Sequence, residues 1–538
     1  MKKQLGWIWE MMKGQRWRIA LRICLDLLSL ALGLFFVYES KHAVDIATGA
    51  STGSLHTSVF LLVASVAVSI LTGQYASWLS NRVKIRLTIT LQDTLTEAQM
   101  RTVWRKTKRW HTGDVLTRLN TDVEEVAQMM AITFPSICVT GVRILASWLF
   151  LWTMDATLAW MILGTSPLFL FSKLYYRRMR RLNRETKQME SRLGIVLQEN
   201  LRQRLLIRAL CMGHTRKQAY QTVQEGIKQS RYSLQNFSVF TQLVLRYTFN
   251  GGYLLAFVWG IYRMHSGLIT FGTMTAFLQL VARVQAPVLT LISFVPAAIR
   301  CRTSLERLAD MNDEEHEKEG NTLYISHPQS VELQDVSFGY EDRTVIVHLN
   351  AMMRPGEPTA IVGATGRGKT TLFRLLLGLL RPDEGKLFMQ TDQGEIPLSV
   401  ATRINFAYVP QGNTLFSGTI RENLLAAVPT ADEIEMTAAL KLSCAEFVEL
   451  LPQGLDTQVG EGGYGLSEGQ AQRIAIARAL LCPGNIWLFD EATSALDKDT
   501  ASQLVHNLMR QGKENILIFI THDVRLMEAC SQVIRLDK

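Results

Sequence analysis

Long apolar stretches dominate the first half of the chain, and short apolar runs replace them in the second half. Each of six long stretches is close to the roughly 20 residues that a helix needs to cross a bilayer. They lie at residues 19–38, 59–79, 134–154, 158–174, 239–262 and 271–291. Beyond residue 330, short apolar runs alternate with helical periodicity, which is typical of a parallel-sheet α/β fold. We therefore expect a six-helix membrane domain at 1–310, an acidic polar linker at 311–329 and an α/β domain at 330–538.

The distribution of basic residues indicates how the spans are oriented. The chain carries 57 Lys and Arg against 48 Asp and Glu, a net charge of +9. The excess lies beside the apolar stretches, in the connections 81–131 and 175–235, which favours a membrane surface over nucleic acid as partner. Both connections keep helical periodicity, so the spans are expected to continue as long cytoplasmic extensions. The positive-inside rule puts these connections and both termini in the cytoplasm. We expect an integral protein of a bacterial cytoplasmic (inner) membrane.

Three arginines fall near the middle of predicted spans: Arg143, Arg246 and Arg283. A charge at that depth is costly and usually faces a partner or a cavity. Each arginine could pair with an acid or extend to the membrane surface. The alternative is a cavity that attracts an anionic cargo. The sequence leaves both interpretations open.

One stretch in the second half predicts a nucleotide site. An apolar run at 359–362 is followed by a glycine-rich loop and then by a helical pattern, the context that a phosphate-binding Walker A loop requires. In such a loop backbone N–H groups surround phosphate oxygens, Lys369 reaches the β- and γ-phosphates, and the Thr370 hydroxyl ligates Mg²⁺. The residues assigned to ATP here are Gly363, Ala364, Thr365, Gly366, Arg367, Gly368, Lys369, Thr370 and Thr371.

A second apolar run, at 486–489, ends in two carboxylates. Paired acids at a strand end are often only helix caps, but together with the glycine-rich loop they indicate a Walker B motif. Asp490 would hold Mg²⁺, and Glu491 would polarise the attacking water.

The remaining motifs resemble those of ABC exporters, and the resemblance covers almost the whole chain. Its most specific element is Leu466-Ser467-Glu468-Gly469-Gln470, which is similar to the ABC signature. Residues 112–123 and 198–209 resemble the two intracellular loops of that family. By this resemblance, short cross-helices near Asp114–Asp122 and Leu201–Arg208 dock onto the ATPase domains. The fold implied is a six-span membrane domain with long cytoplasmic helices, fused to a P-loop ABC ATPase domain.

The resemblance also implies roles for single residues. Tyr340 would stack on adenine, Gln411 would contact Mg²⁺ and the attacking water, and His522 would contact the γ-phosphate. Ser467, Gly469 and Gln470 would bind the γ-phosphate held by a second ATPase domain, so the chain must pair. Ser467 with Gln470 also fits a helix capping box, and both roles can hold together. Arg367 departs from the family pattern, which usually has a small residue there; its side chain could point to solvent or alter nucleotide affinity.

These features predict a half-size exporter that acts as a dimer and uses ATP and Mg²⁺. A homodimer is favoured, and a heterodimer stays open. An ATP-gated channel or regulator on the same fold is the alternative, while the six spans argue against a soluble ATPase. An importer is disfavoured because membrane and ATPase parts are fused here. A peptide, lipid, drug or siderophore, or another amphipathic or anionic molecule, would fit as cargo. Membrane lipid is the other expected partner.

Overall fold

The computed structural model divides into two compact units. One comprises Met1–Met100 and Trp110–Asp313, and the other comprises Arg101–Arg109 and Glu314–Lys538. The structure describes residues 6–7, 10–107, 112–164, 168–313, 315–317, 321–340, 343–364, 366–460, 463 and 465–536.

The first unit is helical. Its helices are α1 (Arg16–Ala47), α2 (Leu55–Met100), α4 (Thr112–Thr117), α5 (Val123–Gln128), α6 (Phe134–Met154), α7 (Ala156–Gly164), α8 (Leu168–Arg202), α9 (Arg204–Ala209), α10 (Gly213–His265) and α11 (Phe271–Asn312). The short helix α3 (Trp104–Thr107) belongs to the second unit. Two π-helical turns, Arg118–Asp122 and Met129–Thr133, join α4, α5 and α6 into one continuous run.

Four described helical runs are long and apolar enough to cross a membrane. They are Arg16–Ala47, Leu55–Met100, Gly113–Met154 and Phe271–Asn312, and they contain the first, second, third and sixth predicted spans. The fourth predicted span includes residues 165–167, which lie outside the described residues. The fifth lies within α10, which runs unbroken from Gly213 to His265. The predicted transmembrane helical fold with long helical extensions is therefore confirmed.

Two apolar cores lie among the described residues of the membrane unit. One buries Val37, Leu151 and Phe277, so that it joins α1, α6 and α11. The other lies on the extended parts of α2, α5 and α11, around Leu95 and Leu308. Many of the other apolar side chains on the predicted spans are exposed, as expected for surfaces that face lipid.

The second unit is an α/β domain with two main sheets. Its strands are β1 (Ser330–Tyr340), β2 (Arg343–Met353), β3 (Thr359–Val362), β4 (Glu384–Thr391), β5 (Gly394–Pro397), β6 (Phe406–Val409), β7 (Gly418–Thr419), β8 (Gln458–Val459), β9 (Ile486–Asp490), β10 (Ile516–Ile520) and β11 (Gln532–Arg535). Its longer helices are α12 (Lys369–Leu376), α13 (Ile420–Leu425), α14 (Glu433–Leu442), α15 (Glu468–Leu480), α16 (Lys498–Gln511) and α17 (Val524–Ala529).

The central sheet places the predicted motifs at one edge. Its strand order is β11-β3-β10-β9-β6, and every neighbouring pair is parallel. Strands β9 and β10 are buried along their whole length, which explains their continuous apolar sequences. Parallel strands end at the same edge, so the loops after β3, β6, β9 and β10 converge there. The second sheet, β2-β1-β4-β5, is antiparallel.

The segment Arg101–Arg109 is part of the second unit although both of its sequence neighbours belong to the first. Thr102 pairs with His316 in an isolated antiparallel bridge, and the Val103 N–H donates to the Glu315 carbonyl at 3.0 Å. Trp104 packs against the apolar core of this second unit. A segment of the basic connection 81–131 is therefore built into the α/β domain.

The segment Asp114–Asp122, which we expected to dock onto an ATPase domain, pairs with residues of its own unit. Asp114 pairs with Arg118 and with Arg307 of α11. Asp122 lies 3.1 Å from Arg307 as well. Docking of Asp114–Asp122 onto an ATPase domain stays a prediction.

Candidate active site

The glycine-rich loop connects β3 to α12 and depends on glycine at its end. Gly368 has φ +95°, and a Cβ there would lie 2.6 Å from Val345 Cγ1, so neither the backbone nor the space suits another residue. The next residue, Lys369, is buried, and its Nζ donates to the Gly363 carbonyl at 2.7 Å. Arg367 is exposed, with its backbone N–H bonded to the Ala364 carbonyl at 3.2 Å. Thr365 lies outside the described residues.

Four predicted residues from four different loops form one polar chain. Lys369 Nζ lies 3.0 Å from His522 Nε2, and that nitrogen lies 3.3 Å from Glu491 Oε1. Gln411 Nε2 donates to Glu491 Oε2 at 2.7 Å. These residues follow β3, β10, β9 and β6, so the strand order brings together groups far apart in sequence.

Glu491 is held in a strained conformation. Its φ of +53° lies in the left-handed region that non-glycine residues rarely adopt. The Glu491 N–H donates to the Ile520 carbonyl at 3.0 Å, which fixes this turn to the end of the neighbouring strand β10. Such strain concentrates at functional sites, because surrounding structure must compensate for it.

Asp490 lies beneath this polar chain and is 2% exposed. Burial, reinforced by the charge of Glu491, raises the pKa of this carboxyl despite a hydrogen bond from Thr370 and the nearby cations Arg374 and Lys369. Its Oδ2 has no hydrogen-bond partner among the described residues. An unpartnered buried carboxylate oxygen beside a threonine hydroxyl matches the oxygen ligands that Mg²⁺ prefers. Thr370 and Asp490, two of the three predicted metal residues, therefore fit the ion.

Tyr340 lies at the end of β1, beside the glycine-rich loop. Its hydroxyl is 3.4 Å from Thr371 Oγ1, and its ring meets Phe338 edge to face. Arg374, one turn further along α12, donates to the Tyr340 hydroxyl at 3.5 Å. The Arg374 guanidinium also lies 5.5 Å from the Trp104 ring centroid. Arg374 thus contacts both the predicted adenine-binding tyrosine and the segment of the basic connection 81–131.

The signature residues open helix α15. Ser467 is its N-cap, and the Ser467 and Gln470 side chains form a reciprocal capping box at 3.2 and 2.9 Å. A Cβ on Gly469 would lie 2.7 Å from the Ala495 carbonyl, so glycine allows α15 to approach the following loop. Within the described part of the chain, no hydrogen bond joins Ser467 or Gln470 to the Lys369 and Glu491 residues.

Sequence reasoning missed two residues of this site, Gln472 and Arg374. Gln472 is buried, donates to the Glu491 carbonyl at 3.2 Å and accepts from the Ala495 N–H at 3.4 Å. It ties the signature helix to the strained turn. The available signal was a polar residue on the buried face of α15. Arg374 gave no signal, because its neighbours come together only in the fold.

The mid-span arginines differ in their surroundings. Arg143 is exposed on α6. The Arg283 guanidinium lies against Gly33, where a Cβ would be 2.5 Å from Nη1. Arg246 is exposed on α10.

Two family models match the chain. The model described as ABC transporter transmembrane region matches residues 19–288, and the model described as ABC transporter matches residues 346–494. The chain is 28% identical to an ATP-dependent lipid A-core flippase of Desulfotalea psychrophila, over 79% of this chain and 76% of that one. It is 34% identical to a mycobactin import ATP-binding/permease protein, IrtB, of Mycolicibacterium thermoresistibile, over 48% and 45%.

A solved structure has the same fold. It is described as a bacterial Atm1-family ABC exporter with ATP bound. The TM-score is 0.79 at 24% identity, over 97% of this chain and 93% of that one.

Proposed function

Because this chain belongs to the ABC transporter family and joins an exporter-type transmembrane region to an ATPase domain, we propose that two copies form an ATP-driven pump in a bacterial inner membrane. The proposed membrane domain is 1–310, the linker 311–329 and the ATPase domain 330–538. The observation that carries the proposal is the polar chain of Lys369, His522, Glu491 and Gln411 at one edge of the central sheet.

The geometry supports a role for each of these groups in hydrolysis. Lys369, now bonded to a loop carbonyl, would exchange that bond for phosphate oxygens. Glu491 would accept a hydrogen bond from the attacking water, while Gln411 and His522 hold its carboxylate in place. Tyr340 would stack on adenine. Thr370, Asp490 and Gln411 would hold Mg²⁺, which neutralises charge on the phosphates when bound.

A dimer is supported by two surfaces. The signature end of α15 offers backbone N–H groups and the Ser467 hydroxyl, in a position suited to a phosphate held by another chain. The second intracellular loop also exposes apolar residues on and around α9, with Leu201, Leu205 and Leu210 all largely exposed. Exposed leucines in a row indicate a docking surface. We propose that α9 docks onto the ATPase domain of a second copy.

The importer alternative rests on a specific observation. A relative described as a mycobactin import ATP-binding/permease protein names both parts in one protein as well. Fusion of the two parts therefore does not decide direction, contrary to our sequence argument. The likeness to a flippase over most of the chain, and the exporter fold, support export.

Glu491→Gln tests the proposed mechanism. The variant keeps a side chain that can accept from Gln411 but cannot act as a charged base, so it should bind Mg-ATP and hydrolyse it at least about a hundredfold more slowly. The measurement is phosphate release by the full chain in nanodiscs, with ATP retention and native mass recorded in parallel. Normal turnover would overturn the assignment, and a strictly monomeric ATP-bound mass would overturn the dimer. Steady ATP-dependent ion current in a planar bilayer would favour the channel.

A further inference from the structure

A cavity of about 670 Å³ lies between the extended parts of three helices in the membrane unit. Its walls are the α4–α5 run, α8 beyond residue 178, and α11 from residue 295 to 307. Both long helices have left their predicted spans at these positions, so the cavity lies on the cytoplasmic side of the membrane domain. Its volume is within the range of about 300–1,000 Å³ that is usual for small-molecule sites.

The wall formed by α5 and α11 has balanced charges. Arg307 pairs with Asp122 at 3.1 Å, and Arg300 pairs with Glu125 at 3.2 Å. The buried Ser304 hydroxyl lies 2.8 Å from Asp122 Oδ1 and 3.0 Å from Glu125 Oε2. These carboxylates already have cationic partners, so they do not offset charge elsewhere in the cavity.

The opposite wall is basic and unbalanced. Arg180, Arg184 and Lys187 line it, and none of the three has an ion pair among the described residues. Their spacing of i, i+4 and i+7 puts them on one stripe of α8. Like charges at that spacing repel one another, so the bare stripe costs stability. Other basic residues near this helix do have partners: Arg181 pairs with Glu185, and Arg231 pairs with Glu190.

The cavity also has an apolar part. Met179 comes from α8, and Val295, Pro296 and Ile299 come from α11. A ligand that suited the whole cavity would carry a multiply charged anionic group with an apolar portion attached. Guanidinium groups bind phosphate or carboxylate through paired hydrogen bonds, whereas an amine such as Lys187 contributes a point charge.

We propose that this cavity binds an amphipathic phosphate monoester on the cytoplasmic side, where cargo would enter. Only the statement that cargo enters here rests on the proposed function, and the binding itself does not depend on it. The phosphate could belong to a membrane lipid or to a soluble organic phosphate, and both would present the same group to Arg180 and Arg184.

The test is equilibrium binding to the nucleotide-free full chain in phosphatidylcholine nanodiscs. Octyl phosphate and inorganic phosphate are titrated by calorimetry, and phosphatidic acid is added to the nanodiscs in a separate arm with retention measured by native mass spectrometry. We expect saturable binding of octyl phosphate or retention of phosphatidic acid, with inorganic phosphate weaker. Binding of octyl phosphate without retention of phosphatidic acid would indicate a soluble ligand. Retention of phosphatidic acid without binding of octyl phosphate would indicate a lipid.

The double variant Arg180→Gln/Arg184→Gln should bind at least tenfold more weakly, which corresponds to about 1.4 kcal/mol. Arg178→Gln/Arg192→Gln is the matched control, because it removes two exposed charges of the same helix that do not line the cavity. Arg184→Lys keeps the charge and should give an intermediate loss. Absence of binding in wild type, or equal loss in the control, would overturn the proposal.

ATP hydrolysis, measured separately, distinguishes the two ideas. ATP hydrolysis without phosphate-ligand binding would refute the cavity proposal but not the proposed pump. Ligand binding without ATP hydrolysis would refute the proposed pump but not the cavity proposal.

Discussion

Asp490→Asn should make the nucleotide-free protein more stable while removing its response to Mg²⁺. The carboxyl is buried, its Oδ2 has no partner among the described residues, and burial raises its pKa above the ordinary value. A carboxyl whose folded pKa exceeds its unfolded pKa binds more protons in the folded state. Stability therefore falls as pH rises from the unfolded pKa through the folded one, and the charged form remains a cost above it.

The size of the effect follows from the buried charge. A buried polar atom without a hydrogen bond costs about 1–3 kcal/mol, and more when the group is charged. Asn keeps an oxygen that can accept from Thr370 and leaves a neutral amide without an assigned partner, so removing the charge should stabilise the protein by about 1–2 kcal/mol. For a domain of this size the gain corresponds to a rise in Tm of about 2–8 °C. A ligand at 100 times its Kd would add about 2.7 kcal/mol to the free energy of unfolding of the wild type.

The assay is thermal unfolding of the purified full chain, without nucleotide, with ATP and EDTA, and with ATP and Mg²⁺. Asp490→Asn should melt above wild type without nucleotide and should lose the increment that Mg²⁺ adds. Glu491→Gln is the control, because that carboxylate is 21% exposed and bonded to Gln411, so its baseline should shift little and its Mg²⁺ response should remain. A lower Tm for nucleotide-free Asp490→Asn, or an undiminished Mg²⁺ increment, would refute the reasoning.

Three further predictions follow from single side chains. Leu205→Asp, at an 83% exposed position, should leave the Tm unchanged but reduce dimer-dependent ATPase activity at least about fivefold, whereas Leu450→Asp, 86% exposed, should not reduce it. Burial raises the pKa of the Cys530 thiol from 9.0 to about 11. At pH 8 the native Cys530 thiol should therefore be alkylated about a hundredfold more slowly than an ordinary thiol, whereas the exposed Cys211 should react readily. Equal alkylation rates of the two cysteines in mass-spectrometric mapping would contradict this. Asp155→Asn should lower stability by about 2 kcal/mol, because the 2%-exposed carboxylate side chain accepts from two helices, and an unchanged Tm would be inconsistent with that role.

The local geometry of the candidate nucleotide site was largely predictable because its motifs are local. A strand, a glycine-rich loop and a helix are contiguous in sequence, so the spacing around Lys369 specifies the turn. Residues such as Gln411 and His522 carry no local signal, and only the resemblance marked them. Their convergence on Glu491 depends on strand order, which periodicity does not reveal.

The parts that sequence reasoning missed depend on contacts between distant segments. Trp104 looked like one aromatic residue in a basic connection, but it packs against the ATPase core. Arg180 and Arg184 belonged to a basic run that fits a solvated helix face. Only the positions of the neighbouring helices show that part of this run lines a cavity. In each case the sequence shows the type of residue but not the distant residues that it contacts.

The nucleotide-free site combines three features that each cost free energy. Glu491 has a left-handed backbone conformation, Asp490 has a buried oxygen without a hydrogen-bond partner among the described residues, and the charged Lys369 amine donates to a neutral loop carbonyl. A phosphate-bound cation would give Asp490 a partner, and phosphate oxygens would give Lys369 a better one. Nucleotide binding would therefore relieve unfavourable interactions that the folded, nucleotide-free protein has at this edge of the sheet. Gln472 connects the same turn to the signature helix, and Arg374 connects α12 to Trp104. The proposed dimer surface at α15 and the segment Arg101–Arg109 therefore each lie one side chain away from the groups that the nucleotide would satisfy.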